Sequence, residues 1–445
     1  MIMEFQRTRY INQLKSYEGN SLIKVITGVR RCGKSYLLNQ LFYRTLLSQG
    51  VKEDHIIRFA FDNDEDLDKI DAFFPNEETK IRQGKNLYTV NSKKFRAYIA
   101  SITNDSDPFF LLLDEIQLLD SFSGTLNGFL HHSNFDVYVT GSNSQMLSSE
   151  VETTFRGRKS SIHVLPLTFK ELVEGLSLTP SEAWRQYILT GGMPIIYRQK
   201  EEKEREDMLV SLCDEIYLKD IKDRKGVRNI NVLSDLFDVL SSNVGNGVSP
   251  SKLEDIFRSN KHIQVTDDTI DQYIDYLQDS FLVSKAKKYN IKGNAYINTP
   301  YKVYFEDIGV RNARLLFKQI EEGHLMENIV YNELRYRGYF VDVGEINVNE
   351  MTDRKDKNGK NIYKESSLEV DFIAYRNMER YYIQVCLNMD EEKTRAREKK
   401  SLYYINDSFK KIIVVKDGLP PRVDENGFLI IDVFDFLLDE NSLKR

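Results

Sequence analysis

The sequence predicts an α/β protein whose N-terminal part is a parallel sheet with helices on both faces. Between Leu22 and Leu167, short β-rich apolar runs alternate with helical patterns, which is typical of a covered parallel sheet. The chain has 445 residues, of which 41% are hydrophobic and 29% are charged. This composition indicates a folded protein of about two to four domains.

The elements of the predicted sheet follow one another in a regular order. The candidate strands are Ile23–Thr27, Ile56–Phe61, Phe109–Leu113, Val137–Thr140 and Ile162–Leu165. The candidate helices between them are Lys34–Ser48, Lys93–Thr103 and Ser121–His132. The alternation predicts a first domain over residues 1–167.

Three further regions follow this sheet. Residues 168–225 predict a small helical lid, interrupted at Gly191-Gly192-Met193-Pro194. Helices near 230–243, 249–259 and 267–280, followed by the apolar run 281–284 and a turn at Gly293-Asn294, predict a winged helix over 226–300. Beyond it we expect a second α/β domain over 301–445.

The second α/β domain is predicted from one helix and four strands. The helix is expected near Leu325–Arg337, and the strands around Phe340–Val343, Leu368–Tyr375, Tyr381–Val385 and Lys411–Val415. Residues 353–364 are rich in Lys, Asp, Asn and Gly and predict an exposed hairpin loop.

Composition limits the partners and the compartment. Lys and Arg number 62 and Asp and Glu 68, so the formal charge is −6 and the whole-molecule field does not attract nucleic acid or an anionic membrane. Cys32, Cys213 and Cys386 are far apart, which argues against a disulfide framework or a zinc site. No apolar run has signal-peptide or membrane-spanning length, and we expect a cytoplasmic protein without a membrane partner.

A phosphate-binding loop is predicted directly after the first strand. Residues 28–35, Gly28-Val29-Arg30-Arg31-Cys32-Gly33-Lys34-Ser35, match the pattern G-x-x-x-x-G-K-[ST] in full, and Tyr36 continues into a helix. The glycines let backbone N–H groups turn toward phosphate oxygens, and the helix N-terminus adds positive charge. Lys34 is expected to reach the β- and γ-phosphates and Ser35 to ligate Mg²⁺. The cofactors predicted here are ATP and Mg²⁺; the alternative is a plain glycine turn.

Two carboxylates end the most apolar strand. Phe109–Leu113 is followed by Asp114 and Glu115, about 80 residues after the loop. Asp114 is expected to hold Mg²⁺, through water, and Glu115 to orient and deprotonate the attacking water. The alternative is an ordinary acidic pair at a strand end.

Several segments together resemble the prokaryotic AAA+-superfamily ATPases that carry a C-terminal domain of unknown function. They are Ile26–Ser35, Leu113–Gln117, Thr140–Ser144, Phe155–Arg158 with Leu165–Phe169, and Thr190–Pro194, in the order of the family. With Leu325–Tyr331 and Leu368–Val385, the resemblance covers nearly the whole chain. It implies a P-loop NTPase sheet that binds and hydrolyses ATP, a winged-helix middle and a C-terminal fold similar to restriction-endonuclease-like nucleases.

Two less specific features accompany the nucleotide motifs. Ser142 or Asn143 follows the strand Val137–Thr140, where a polar residue of AAA-type ATPases contacts the γ-phosphate or the lytic water; the alternative is a turn that caps a helix. Arg156 or Arg158 could stabilise γ-phosphate charge across a subunit boundary, which would make hydrolysis depend on a homo-oligomer. The alternative is a surface ion pair.

The middle domain carries opposite charges on two segments. Asp271, Asp275 and Asp279 form an anionic stripe along one face of the candidate recognition helix, which would repel phosphates, while residues 285–288 form a basic wing. We therefore expect a winged helix that faces a protein or only connects domains, with DNA disfavoured.

The C-terminal domain offers an incomplete nuclease site. Its candidate residues are Glu327, Glu369, Asp371 and Gln384, and Cys386 stands where such nucleases have the lysine that positions water. A lysine from the basic segment 393–400 is the alternative source of the cation. We expect a degenerate nuclease-like fold used for binding or assembly, with an active nuclease as the alternative.

The sequence as a whole predicts an ATP-driven molecular switch that acts on a protein partner. A DNA-processing enzyme, in which the ATPase loads or gates a nuclease, is the competing hypothesis. A third hypothesis is a protein that binds nucleotide without hydrolysing it, which Asp114 and Glu115 disfavour.

Overall fold

The computed structural model describes residues 4–74, 79–82, 88–104, 107–141, 157–260, 263–355 and 361–445. The chain divides into two compact units. The first is Met1–Pro166 with Asp279–Phe281, and the second is Leu167–Gln278 with Leu282–Arg445.

The first unit is built on a five-stranded sheet. Its strands are β1 (Ile23–Thr27), β2 (Ile56–Ala60), β5 (Phe109–Asp114), β6 (Phe135–Thr140) and β7 (Lys159–His163), with a separate hairpin of β3 (Lys80–Arg82) and β4 (Tyr88–Val90). Its helices are Thr8–Ser16, Lys34–Tyr36, Tyr43–Ser48, Asp64–Phe73, Ser92–Ile102 and Phe122–Phe129; a π-helical stretch at Leu37–Phe42 and 3₁₀ turns at Glu53–His55 and Ile116–Leu118 complete it.

All neighbouring strands of this sheet run parallel, in the order β2-β5-β6-β1-β7. Because the carboxyl ends of parallel strands meet at one edge, Thr27, Asp114 and Thr140 come to the same edge of the sheet. A parallel sheet covered on both faces also explains the apolar runs, since every residue of β1 is buried.

The core of the first unit is dense in aromatic rings. Phe59 lies 4.9 Å from Phe61 and 5.0 Å from Phe95, measured between ring centroids, and Leu111 and Leu113 of β5 have no exposed surface. Such packing leaves β5 little freedom to move. The two carboxylates at its end are therefore held in a fixed direction.

The second unit is built on a nine-stranded mixed sheet. Its strands are β8 (Gly247–Val248), β9 (Val283–Asn290), β10 (Ala295–Phe305), β11 (Phe340–Lys355), β12 (Asn361–Arg376), β13 (Glu379–Cys386), β14 (Lys410–Val415), β15 (Arg422–Val423) and β16 (Leu429–Asp432), in the order β15-β16-β14-β13-β12-β11-β9-β10-β8.

Helices make up most of the rest of the second unit. They are Phe169–Leu176, Pro180–Thr190, Glu202–Ser211, Lys219–Lys225, Ile230–Ser242, Pro250–Asn260, Asp267–Asp279, Ile308–Arg314, Glu322–Tyr336, Glu392–Tyr403 and Val433–Leu438. A π-helical stretch lies at Leu212–Leu218, and 3₁₀ turns lie at Pro194–Arg198 and Ser442–Lys444. No helix among the residues described is both long enough and apolar enough to cross a membrane.

The hairpin of β9 and β10 belongs to the same sheet as the C-terminal strands. β9 pairs in parallel with β11, with Val343 opposite Lys288 and Gly344 opposite Tyr289. The boundary expected at residue 300 falls inside β10. Backbone pairing thus joins two regions that local patterns separate.

The Gly191-Gly192 interruption docks onto a buried carboxylate. Gly192 N donates to Asp307 Oδ2 over 2.7 Å, and a Cβ on Gly191, whose φ is +69°, would lie 2.5 Å from Asp307 Oδ1. Burial raises the pKa of Asp307 to about 6, although backbone N–H groups oppose the shift. The glycines are needed because the loop approaches this carboxylate closely.

The hairpin expected over 353–364 is formed by β11 and β12, but both strands extend into the segment that was expected to be loop. β11 continues to Lys355 and β12 begins at Asn361, and these two residues are paired. A ladder needs paired N–H and C=O groups and not apolar side chains, so a polar sequence does not end it. The β3–β4 hairpin was not predicted.

Candidate functional site

The loop after β1 packs closely against the backbone that follows β7. Gly28 has a φ of +146°, and a Cβ there would lie 2.2 Å from Val164 O. Gly33, with a φ of +98°, precedes the helix that begins at Lys34. Val29 and Cys32 are buried, whereas Arg30, Arg31 and Ser35 are exposed. The loop therefore exposes its two arginines and Ser35, and it buries its apolar members together with Lys34.

The lysine of the loop lies on backbone oxygens. Lys34 Nζ donates to Gly28 O over 2.9 Å and to Val29 O over 3.0 Å, and the side chain is almost fully buried. Two carbonyl oxygens satisfy an ammonium only in part, because it has three donors. Lys34 can therefore exchange these two carbonyl oxygens for an anionic ligand bound in the loop.

Asp114 at the end of β5 is surrounded by neutral hydrogen-bonding groups. Its carboxylate accepts from Thr140 Oγ1, from Asn39 Nδ2 over 3.4 Å, and from the Ser35 hydroxyl. Burial, with smaller contributions from Glu115 and Asp62, raises the pKa of Asp114. A divalent cation would lower the pKa of Asp114 again, since it stabilises the ionised carboxylate that burial disfavours.

Glu115 adopts a left-handed backbone conformation with a φ of 52°. Its N–H donates to Thr140 Oγ1 over 3.1 Å, and its carboxylate accepts from Gln117 Nε2. Thr140 thus holds Asp114 and Glu115 together from the neighbouring strand. A non-glycine residue in this conformation is strained, and such strain is common at functional sites.

Three residues of this site were missed by the sequence reasoning. Thr140 bridges the two carboxylates, and its position at the end of the strand after Asp114 was the available signal. Asn39 lies four residues after Ser35, one helical turn on, and its buried Oδ1 has no protein partner. Asp62 lies just beyond β2. Its pKa is raised, because burial and the charge of Glu115 outweigh the opposing charges of Arg30 and Arg31.

The remaining residues predicted for nucleotide chemistry have mixed outcomes. Ser142, Asn143 and Arg156 lie outside the described residues. Arg158 is exposed, and its guanidinium donates to Asn127 Oδ1 over 3.2 Å. Tyr36 donates its hydroxyl to Glu4 Oε1 over 2.9 Å.

A second cluster of charged side chains lies in the nine-stranded sheet. It brings together the predicted residues Glu327, Glu369, Asp371 and Gln384. Asp371 Oδ2 accepts from Val385 N over 2.8 Å, and Asp371 N donates to Gln384 Oε1 over 3.4 Å. Among the residues that can be described, no group of three or more acidic, His or Cys side chains is arranged to hold a metal ion.

The cation of this cluster does not come from the segment 393–400, which the sequence left open as an alternative source. It comes from β10: Lys302 Nζ lies 3.0 Å from Glu327 Oε1, 2.7 Å from Glu369 Oε1 and 4.0 Å from Asp371 Oδ1. The cause is the long-range pairing that places β10 in this sheet. Lys399 pairs instead with Asp424 and Glu425.

Further contacts close the cluster. Lys288 lies 2.9 Å from Glu369 Oε2, and Tyr304 donates its hydroxyl to Glu327 Oε1 over 2.5 Å. Burial raises the pKa of Asp371 well above its usual value, with Glu327 adding to the shift and Lys302 opposing it. Burial also acts to raise the pKa of Glu369, but Lys302 and Lys288 outweigh it and the pKa is lowered.

The expected anionic stripe of the middle region is partly neutralised within the chain. Lys285 Nζ lies 2.8 Å from Asp271 Oδ1 and 2.6 Å from Asp275 Oδ1, and Tyr301 donates to Asp271. Lys285 and Lys288 of the expected basic wing are thereby engaged in ion pairs. Asp275 and Lys287 remain exposed, so charges of both signs still face outward.

The comparisons with known proteins agree with the geometry of the first unit. The AAA domain family matches residues 20–173, and a domain of unknown function matches residues 181–321. An uncharacterised protein of Haemophilus influenzae is 31% identical over 438 residues, covering 97% of this chain and 98% of its own length. An uncharacterised protein of Methanocaldococcus jannaschii is 29% identical, covering 92% and 86%.

Solved structures resemble the chain only distantly. Cdc6p of Pyrobaculum aerophilum is 12% identical, covers 73% of this chain and 94% of its own, and gives a TM-score of 0.29. AMPPCP-bound DnaA of Aquifex aeolicus is 15% identical, covers 62% and 89%, and gives 0.28. The family relation therefore rests on the Haemophilus influenzae relative and the AAA domain.

Proposed function

The chain belongs to the family of AAA-domain proteins that includes the Haemophilus influenzae relative, and from this premise we propose that it is an Mg²⁺-dependent ATPase working as a molecular switch. The observation that carries the proposal is that the hydroxyls of Ser35 and Thr140 both bond to Asp114, while the Glu115 N–H donates to the same Thr140 hydroxyl. Mg·ATP, when bound, would supply the γ-phosphate to be cleaved. Its Mg²⁺ would supply the cationic partner that Asp114 lacks among its neutral hydrogen-bond partners.

The residues of the loop have distinct roles in this proposal. The backbone N–H groups of Gly28–Ser35 bind phosphate, and Lys34 leaves the two carbonyl oxygens to contact it. Ser35 and Asp114 hold Mg²⁺, and the orphaned oxygen of Asn39 supports a further polar ligand beside them. Tyr36 ends the short helix that begins at Lys34 and leads into the π-helical stretch that carries Asn39.

Glu115 orients the attacking water and takes its proton on the carboxylate. Gln117 and Thr140 restrict the side chain and backbone of Glu115, which keeps this base in one position. Asn143 or Ser142, and Arg156 or Arg158 of a neighbouring subunit, remain our candidates for contacts to the γ-phosphate.

Single-turnover hydrolysis by Glu115→Gln tests the proposal. The amide keeps the shape and the hydrogen bond to Gln117 but loses the basic oxygen, so hydrolysis should fall about 10²–10⁴-fold with ATP binding retained. Gln117→Ala is the control for positioning and should lose much less. An unchanged rate in Glu115→Gln would remove that residue from its role.

We propose a protein as the partner of the switch. The net charge of −6 and the engagement of Lys285 and Lys288 in ion pairs support this choice, because few wing cations are left for phosphates. Steady-state hydrolysis titrated with duplex and single-stranded DNA at fixed salt tests it, with Lys34→Ala as the blank. Stimulation by DNA would favour the DNA-processing alternative.

We further propose that residues 226–300 form a winged helix whose hairpin strands belong to the nine-stranded sheet, and that residues 301–445 form a nuclease-like region that does not cleave. The three helices before β9 support the first part. The second rests on Lys302, which stands among the carboxylates that a catalytic metal would need. Plasmid nicking in Mg²⁺ or Mn²⁺ that disappears in Asp371→Ala would contradict it.

A further inference from the structure

The phosphate-binding loop contains one strained residue that is not a glycine. Between residues 28 and 35 the backbone takes a positive φ at Gly28 (146°), Arg31 (72°) and Gly33 (98°). Glycine adopts such angles freely, whereas in any other residue the Cβ atom crowds the neighbouring carbonyl oxygen. Arg31 is therefore held in a conformation that would suit a glycine better.

The fold makes no use of the Arg31 side chain. The side chain is exposed, and its guanidinium forms no hydrogen bond and no ion pair with any residue that the structure describes. Lys34, in contrast, is buried and donates to Gly28 O and Val29 O. Backbone strain that no contact of the chain explains is typical of functional sites. The Arg31 guanidinium is thus available to a bound ligand.

Arg31 lies near the carboxylates at the end of β5. Asp62 is beside them, because Phe61 N donates to Asp114 O over 3.1 Å. Burial and then the charge of Glu115 raise the pKa of Asp62, and the charge of Arg31 is among those that oppose the shift. Since Coulombic interactions weaken with distance, the Arg31 guanidinium is near this edge of the sheet. Glu115, the proposed base, acts at the same edge.

Hydrolysis moves negative charge at this edge. The water oxygen bonds to the γ-phosphorus while the bond to the bridging oxygen breaks, ADP keeps the electron pair and Glu115 takes the proton. The charge is spread over the equatorial oxygens of the phosphoryl group and the leaving oxygen. A guanidinium can contact two such oxygens through parallel N–H groups. Arg31 offers this group on the loop that is proposed to hold the phosphates.

We propose that Arg31 is a catalytic residue of the ATPase, which contacts the γ-phosphate of the nucleotide bound in its own chain. The inference rests on the proposed ATPase function and adds a residue to it. Because the cation comes from the same chain, one subunit can hydrolyse ATP by itself. Arg156 or Arg158 of a neighbouring subunit would then add to a rate that a single chain already supports.

Steady-state ATP hydrolysis in excess Mg²⁺ tests the proposal. Arg31→Ala should lower kcat about 10³-fold, as for other arginines that contact a γ-phosphate, with KM nearly unchanged. Arg31→Lys should lose less, since an ammonium keeps the charge but not the two parallel donors. Arg44→Ala is the matched control, because Arg44 is also exposed in the first unit but pairs with Glu4, and it should keep the full rate. An unchanged kcat in Arg31→Ala, whatever its KM, would overturn the proposal.

Binding of a fluorescent ADP analogue, with and without aluminium fluoride, separates catalysis from nucleotide binding. The affinity for ADP alone should be the same in the wild type and in Arg31→Ala. Aluminium fluoride beside ADP imitates the transferring phosphoryl group, so it should tighten binding about tenfold or more in the wild type and much less in the variant. Equal tightening in both proteins would contradict the assigned contact.

Arg31→Gly tests the strain at this position. It should lose as much activity as Arg31→Ala, because both variants lack the guanidinium. It should melt at a higher temperature than Arg31→Ala, because only glycine relieves the positive φ. A Gly variant that keeps the wild-type rate, or one that melts below the Ala variant, would overturn the argument from the strained arginine.

A mixture of Arg31→Ala and Glu115→Gln tests whether Arg31 acts within its own chain. If it does, every site in the mixture lacks one of the two groups and the mixture stays inactive. Recovered hydrolysis would show that Arg31 acts on a neighbouring subunit and would overturn the proposal. An inactive wild type would defeat both proposals. A loss of hydrolysis in Glu115→Gln with none in Arg31→Ala would defeat only this one.

Discussion

The two units each bring a lysine and carboxylates together, but they arrange them differently. In the first unit Lys34 bonds to backbone carbonyls, while Asp114 bonds to hydroxyl and amide groups. In the second unit Lys302 is inserted directly between Glu327 and Glu369. The first site keeps its charges ready for an added ligand, and the second satisfies its charges within the chain. Equivalent residue types therefore do not imply equivalent chemistry.

The largest expected effect is on the free energy of unfolding, and it differs between substitutions of the two lysines. Lys302→Met should lower the free energy of unfolding by roughly 3–5 kcal/mol, because it leaves buried carboxylates without their cation. Lys34→Met should cost only about 1–2 kcal/mol, the value of hydrogen bonds to carbonyl groups. Urea unfolding measures both.

Removing a carboxylate sharpens that result. Adding Glu327→Gln to Lys302→Met should recover part of the lost stability, because one buried negative charge is gone. If the double variant is no more stable than Lys302→Met alone, Lys302 is not the cation that neutralises this cluster.

An intermediate effect is expected at Thr140. Thr140→Val removes the hydroxyl that contacts Asp114 and the Glu115 N–H, and hydrolysis should fall about tenfold, equivalent to roughly 1.4 kcal/mol in the barrier. Thr140→Ser keeps the hydroxyl and should retain most of the rate. Equal losses in both variants would indicate that the methyl group, and not the hydroxyl, is what matters.

The smallest effect concerns pH. The folded-state pKa of Glu369 is lowered below 4.5, so its pairing with Lys302 and Lys288 stabilises the protein above pH 4.5. That contribution is lost as the pH falls through the folded-state pKa. Glu369→Gln should therefore flatten the acid side of a stability profile between pH 3 and 6. Glu365→Gln, on the same strand but exposed, is the control, and an equal flattening there would contradict the assignment.

Local signals explain how much of the molecule could be predicted. The strand before Gly28 and the strand before Asp114 are apolar runs followed by polar motifs, and both lie where the sequence predicted them. Asn39 could have been found from its spacing of one helical turn from Ser35. These features depend on neighbours in the chain.

Long-range pairing explains what could not be predicted. Lys302 meets Glu369 only because β9 joins β11, and no short pattern encodes that pairing. The same pairing moves Lys288 from the expected basic wing to an ion pair with Glu369. A sequence reading that assigns residues 226–300 to their own domain separates groups that the sheet brings together.

Binding of Mn²⁺ in the presence of a non-hydrolysable ATP analogue tests the contrast between the sites most directly. Electron paramagnetic resonance should count one Mn²⁺ per chain, dependent on the nucleotide, abolished by Asp114→Asn and unchanged by Asp371→Asn. A site that fills without nucleotide and is lost in Asp371→Asn would contradict the account, because the carboxylates around Lys302 would then bind metal after all.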